Sequence, residues 1–134
     1  MIAKNGKGVF GGVAVGTIKI FSDTLKTEKR FVNDTEGEIK RLKTAVEKAV
    51  GQLEELYKKT LEQVGKDEAQ IFEIHKMMIT DNEFVSDIEE KIKMGVNAEA
   101  AVQETGEKFS QRFKSLNDAY MSQRAVDVKD ISQR

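Results

Sequence analysis

The side chains able to do chemistry are few. The chain has no cysteine and one histidine, His75. Thiolate nucleophiles, disulfides and thiolate metal sites are therefore excluded. A serine paired with His75 has no supporting context, since no G-x-S-x-G elbow is present. His75 with Glu73 or Asp81 is not a metal site, because a catalytic zinc needs about three protein ligands. The glycines at 8, 11 and 12 lack the Gly-Lys-Ser/Thr ending that wraps phosphate in a P-loop. His75 itself has three readings: a surface or interface histidine on a helix, a phosphoryl acceptor or general base, or a packed core histidine. Met77, Met78 and Phe84 form a second feature beside the acidic break 80–82. Methionine adapts to varied partners, so the strip is a candidate docking patch. Met78 shares a helical stripe with Ile71 and Ile74 and is expected in the core; Met77 sits off that stripe.

The elements that must position these groups follow from pattern. At 134 residues the chain is one ordinary domain, long enough to bury a core. Charged residues make up 34% with a net charge of -1. That balance suits a cytosolic surface and argues for neither nucleic acid nor membrane. No apolar run approaches the roughly 20 residues of a membrane helix. The opening residues lead into no signal-peptide core, because Gly11, Gly12 and Gly16 break the apolar stretch. Proline is absent, which long helices tolerate well.

Residues 7–21 alternate β-branched and small residues, with glycines between, and read as two short strands and a turn. A hairpin this small is marginal alone, and nothing later in the chain offers it a sheet. Residues 22–32 read as a polar connector. Thr35 and Glu38 fit a capping box. Ile39, Leu42, Val46, Ala49, Leu53, Leu56, Leu61 and Val64 then make one stripe of a long helix. Gly51 inside it marks a close contact or a bend. Gly65 stops that helix and Asp67 is expected to cap a second, with Ile71, Ile74, Met78 and Ile79 inward. A third helix runs from about Glu83 to Met94 and Gly95 ends it. Asn97 is expected to cap a fourth, carrying Val102, Phe109, Phe113 and Leu116. Asn117 and Asp118 restart the chain, and Tyr120, Met121, Arg124, Val128 and Ile131 mark a fifth helix. It reaches Arg134 without a stop signal, as expected of a polypeptide that continues.

Three stretches then resemble a known family. Residues 69–84 (AQIFEIHKMMITDNEF), 97–102 (NAEAAV) and 118–130 (DAYMSQRAVDVKD) are similar, in order, to elements of enzyme I, the phosphoenolpyruvate–protein phosphotransferase family of bacterial sugar uptake. The lead-in 8–16 is similar to that family's opening strand. The resemblance covers nearly the whole chain, and 118–130 is its most specific part. It implies a mainly α fold: a helical-hairpin bundle of the HPr-binding type over 33–134. This is preceded by a connector at 22–32 and a short β segment, 1–21, of an incomplete α/β swivelling domain. The family's phosphorylated histidine, in a Gly-Gly-x-x-Ser-His context, is then expected beyond Arg134, so this chain alone holds no catalytic residue and should be inactive. No cofactor or metal is implied here; magnesium, and the contacts of a homodimer, belong to the family's C-terminal barrel. The implied partner is the phosphocarrier HPr. Matched position by position, the surface that binds it includes His75, Met77, Met78, Asp81, Glu83, Phe84, Phe113, Met121 and Arg124, and Asp67 joins Asp81 and Glu83 as an acid to pair with the carrier's basic residues. Gly11 stands where the family usually has proline, Gln103 where some members have histidine, and Ala119 where an acid usually precedes Tyr120. Two other readings are a dihydroxyacetone-kinase phosphotransfer subunit and a stand-alone helical regulator.

Overall fold

A helix must satisfy the N–H groups of its first turn, and Asp34 does this for the first: its Oδ1 accepts from Gly37 N at 2.9 Å. The computed structural model describes residues 11–13, 15–17 and 27–134. Over them run α1 (Thr35–Gln63), α2 (Lys66–Ile79), α3 (Asn82–Lys93), α4 (Ala98–Ser115) and α5 (Ala119–Gln133). The architecture is mainly α, as the pattern predicts. The β lead-in falls largely outside the described residues; 11–13 and 15–17 are exposed and lie in no strand.

Helix starts depart from the predicted caps in an informative way. Asp34, not Thr35, caps α1. Glu38, expected to complete a capping box, instead accepts from Ala98 N at 2.8 Å and so serves the first turn of α4. Asp67 does not cap α2; Gly65 holds that position with φ 140°, and Asp67 adds negative charge to the first turn, where the helix dipole favours it. Asp81 and Asp118 cap α3 and α5 through Phe84 N and Met121 N. Asn97 precedes α4 without capping it by side chain.

Asn97 has another task. It is fully buried. Its Oδ1 accepts from Arg30 N at 2.7 Å and its Nδ2 donates to Glu28 O at 3.2 Å. With the bonds Asn97 N to Arg30 O and Val32 N to Gly95 O, these pin the connector to the α3–α4 turn, where Phe31 and Val96 form an isolated antiparallel bridge. The predicted polar connector is therefore tied down at its far end. Gly95 makes the turn with φ 94°, and a Cβ there would strike the Phe31 ring.

The helices pack as two hairpins with α3 between them. Ser110 Oγ donates to Ala125 O at 2.8 Å, and Gly106 lies against Ser132 and Val128. Residue numbers that fall on α4 as they rise on α5 make the pair antiparallel. Gly106 is what lets those backbones approach. Asp87 on α3 takes Lys108 and Thr105 from α4 as well as Lys91 from its own helix. The core has two parts that meet at Met78. One holds Leu42, Phe84, Ile88, Ile92, Ala98, Ala101 and Val128; the other holds Ala49, Leu53, Ile79 and Ile131. Phe84 and Phe109 meet edge to face, centroids 5.3 Å apart at 87°. The predicted stripe of α1 faces these clusters from Ile39 to Leu53, but Leu61 and Val64 are exposed at the tip of the α1–α2 hairpin, outside both.

Gly51 marks no close contact: it is exposed, and an added Cβ would meet nothing within 4 Å. Gly51→Ala is therefore expected to raise stability by about 0.5–1 kcal/mol, through the lower backbone entropy of the unfolded chain. Urea unfolding of both proteins checks this. A loss of stability would mean that α1 needs its glycine.

Candidate docking face

The predicted partner-binding residues come from four helices that the fold gathers at one junction. The start of α3 is tied to the end of α4 by Glu83 and Arg112 Nη1 at 2.6 Å. The end of α4 turns into α5 through Asn117, whose φ of 55° is left-handed. That conformation is one asparagine tolerates. The third tie joins α2 to α5, where His75 Nε2 lies 3.4 Å from Asp127 Oδ1.

Within this junction the predicted residues divide by exposure. Asp67, Met77, Asp81 and Glu83 face solvent, and Met77 is 70% exposed. Met78, Phe113, Met121 and Arg124 are half-buried, with Met78 and Phe113 packed against the core. Phe84 is buried in the core, so its placement on the surface is corrected: its ring packs in a T-shaped pair with Phe109. His75 is buried too, which corrects its reading as a surface histidine. Its Nε2 makes no hydrogen bond and faces the carboxylate of Asp127. A phosphoryl acceptor needs an open line of attack, and this nitrogen has none.

Three further residues belong to the junction. Leu116 and Tyr120 have apolar spacing that marks them as helix-stripe members, yet they are 58% and 60% exposed. Periodicity assigns a residue to a stripe but not to a covered one. Asp127 is buried, and its Oδ2 takes Arg124 Nη1 at 2.6 Å. The Arg124 guanidinium also sits 4.6 Å from the centre of the Tyr120 ring. A buried acid between two basic side chains has no signature in local sequence.

The charge networks of mid-α3 and of the starts of α1 and α4 carry a pH dependence. Burial pushes the Asp87 carboxyl up, but Lys108, Lys91 and Thr105 outweigh it and hold the group well below the usual carboxylate range. Glu99 is held at about 2, against an ordinary 4.5, by its own backbone N–H, with burial opposing and Arg41 and Asn97 assisting. Glu38 is lowered by the Ala98 N–H and then by Arg41. Depressed carboxyls stabilise the fold above their unfolded values and lose that effect as pH falls through their folded values. Stability is therefore expected to decline from pH 4.5 toward about 2, and Glu99→Gln to flatten the decline. Denaturant melts across that range check both; equal slopes for the two proteins would refute the role of Glu99.

A groove lies elsewhere. It encloses about 550 Å³ along α1, α4 and the end of α5, between Leu42, Val46, Val102 and Ile131. Of the predicted docking residues only Phe84 lines it. Among the described residues no group of three or more histidines or acids is placed to hold a metal, and no helix there is long and apolar enough to cross a membrane.

Comparison with known proteins agrees with this architecture. The family described as PEP-utilising enzyme, N-terminal, matches residues 5–124. Phosphoenolpyruvate-protein phosphotransferase of Listeria innocua is 36% identical over 99% of this chain, and that of Bacillus subtilis 33% identical over 96%. The chain spans about a quarter of the length of these curated relatives, 24% and 23%. Among solved structures, an NMR structure of enzyme I (nEIt) superposes with a TM-score of 0.76 at 32% identity, covering 81% of this chain and 45% of that one. The N-terminal domain of Enzyme 1-Nitrogen gives 0.75 at 27% identity, with the same two coverages of 81% and 45%. The five-helix fold, the matched family and these relatives agree: the chain belongs to the PEP-utilising enzyme N-terminal family.

Proposed function

We propose that this chain is the carrier-docking domain of a phosphoenolpyruvate–protein phosphotransferase, enzyme I, and that its partner is HPr. The parent enzyme takes phosphate from phosphoenolpyruvate onto a histidine outside the helical domain and passes it to HPr. The helical domain holds the carrier while this happens. The observation that carries the reading is the junction itself: exposed Met77, Leu116 and Tyr120 alongside the exposed acids Asp67, Asp81 and Glu83. An apolar centre excludes water, and charged rim groups steer a partner and set its register. HPr-type carriers present basic side chains around their phosphohistidine, which suits an acidic rim.

His75 is not the phosphorylated group in this reading. Its buried nitrogen beside Asp127 supports a structural role. The names of the relatives favour enzyme I over a dihydroxyacetone-kinase subunit.

Calorimetric titration with HPr from the same organism tests the proposal. Saturable one-to-one binding that weakens with added salt is the expected result, because exposed charge pairs are screened. Absence of heat and of any other binding signal up to millimolar carrier would overturn it.

A further inference from the structure

We infer that Asp127 is a positioning residue for the docking face, holding Arg124 in place beneath Tyr120. This rests on the reading of the junction as a carrier-docking face. Asp127 lies within the segment 118–130, yet it is buried and cannot touch a partner itself. What it touches is Arg124, through Oδ2 at 2.6 Å, and His75, through Oδ1 at 3.4 Å. One carboxylate thus spends an oxygen on each of two helices.

The consequence runs outward. Arg124 has several rotatable bonds, and a free arginine at a surface would sample many rotamers. Here its side chain is 14% exposed, one end is bonded to Asp127 and its guanidinium lies 4.6 Å from the Tyr120 ring centre. Tyr120 is 60% exposed, so the ring is the outermost member of the chain Asp127–Arg124–Tyr120. Arg124 Nε is buried and makes no hydrogen bond, so Asp127 is the carboxylate that fixes the guanidinium. A preorganised aromatic and arginine pair loses less entropy on binding than a mobile one. Without the carboxylate, the Arg124 guanidinium would be left largely buried with its Asp127 counter-charge gone, and the arginine would swing away.

A double-mutant cycle on carrier affinity separates positioning from general structural support. Asp127→Asn is expected to weaken HPr binding roughly tenfold in the native background and less than twofold in an Arg124→Gln background. Equal losses in both backgrounds, or none in either, would overturn the inference. A carrier-free measurement stands beside it. The Arg124 Nε–H resonance is expected to be slowly exchanging in the native chain and lost to exchange in Asp127→Asn. Its persistence would also overturn the inference. If Asp127→Asn does not fold, Asp127→Glu takes its place: it keeps the charge but displaces it, and the same non-additivity with Arg124→Gln is expected. If the native chain fails to bind HPr, the docking proposal falls, while the resonance measurement still decides whether Asp127 holds Arg124.

Discussion

Ile92→Ala is expected to lower the free energy of unfolding by about 2–5 kcal/mol. Ile92 is fully buried in α3, in the cluster that joins Leu42 of α1, Ala98 and Ala101 of α4 and Val128 of α5. Removing most of its side chain loses the transfer of apolar surface out of water and leaves a cavity. The surrounding helices cannot close that cavity freely. Asp87 is bound to Lys108 and Thr105 five residues earlier on the same helix, and Asn97 pins the connector just beyond it. A domain whose total stability is of the order of 5–15 kcal/mol would lose a large share of it. Urea unfolding measures the change; a loss under about 1 kcal/mol would mean that α3 settles inward and that its ties are weak.

Met77→Lys is expected to weaken HPr binding by roughly 10- to 100-fold while leaving the fold intact. Met77 is 70% exposed, so its replacement removes little buried area. In the proposed complex the same side chain is covered, and a cation there would meet the basic groups around the carrier's histidine. Desolvation and like-charge repulsion then act together. Paired melts and titrations separate the effects. An unchanged affinity would remove Met77 from the interface, and a large loss of stability would mean that its thioether packs in the fold.

How much of this was legible in the sequence depends on the range over which each interaction acts. Helix identity is local: the apolar spacing from Ile39 to Leu53, the glycines at 65 and 95 and the acids at 81 and 118 all lie beside the elements they define. Caps that work at long range were not legible. Glu38 sits three residues after Thr35, as a capping box requires, but its carboxylate serves Ala98, 60 residues on. Asn97 looks like a cap and instead reads the backbone of residues 28 and 30. The glycines divide in the same way. Gly51 draws attention inside a helix and touches nothing, whereas Gly106 is where α4 and α5 meet. Of the predicted docking residues, the acidic ones and Met77 lie outside the stripes and are exposed. His75 and Phe84 matched by position in a motif, and a motif does not distinguish a residue that touches a partner from one that supports it. Asp127 shows the same limit from the other side, since its role appears only once α2 and α5 are side by side.

The central claim is that the junction of α2, α3, α4 and α5 is where the carrier binds, and an amide-resolved NMR titration of the labelled chain with unlabelled HPr tests it most directly. The account predicts shifts concentrated at Asp67, Met77, Asp81, Glu83, Leu116, Tyr120 and Arg124, with the α1 face of the groove near Val46 unmoved. Shifts concentrated instead along Val46, Val102 and Ile131, or no shifts at millimolar carrier, would contradict it.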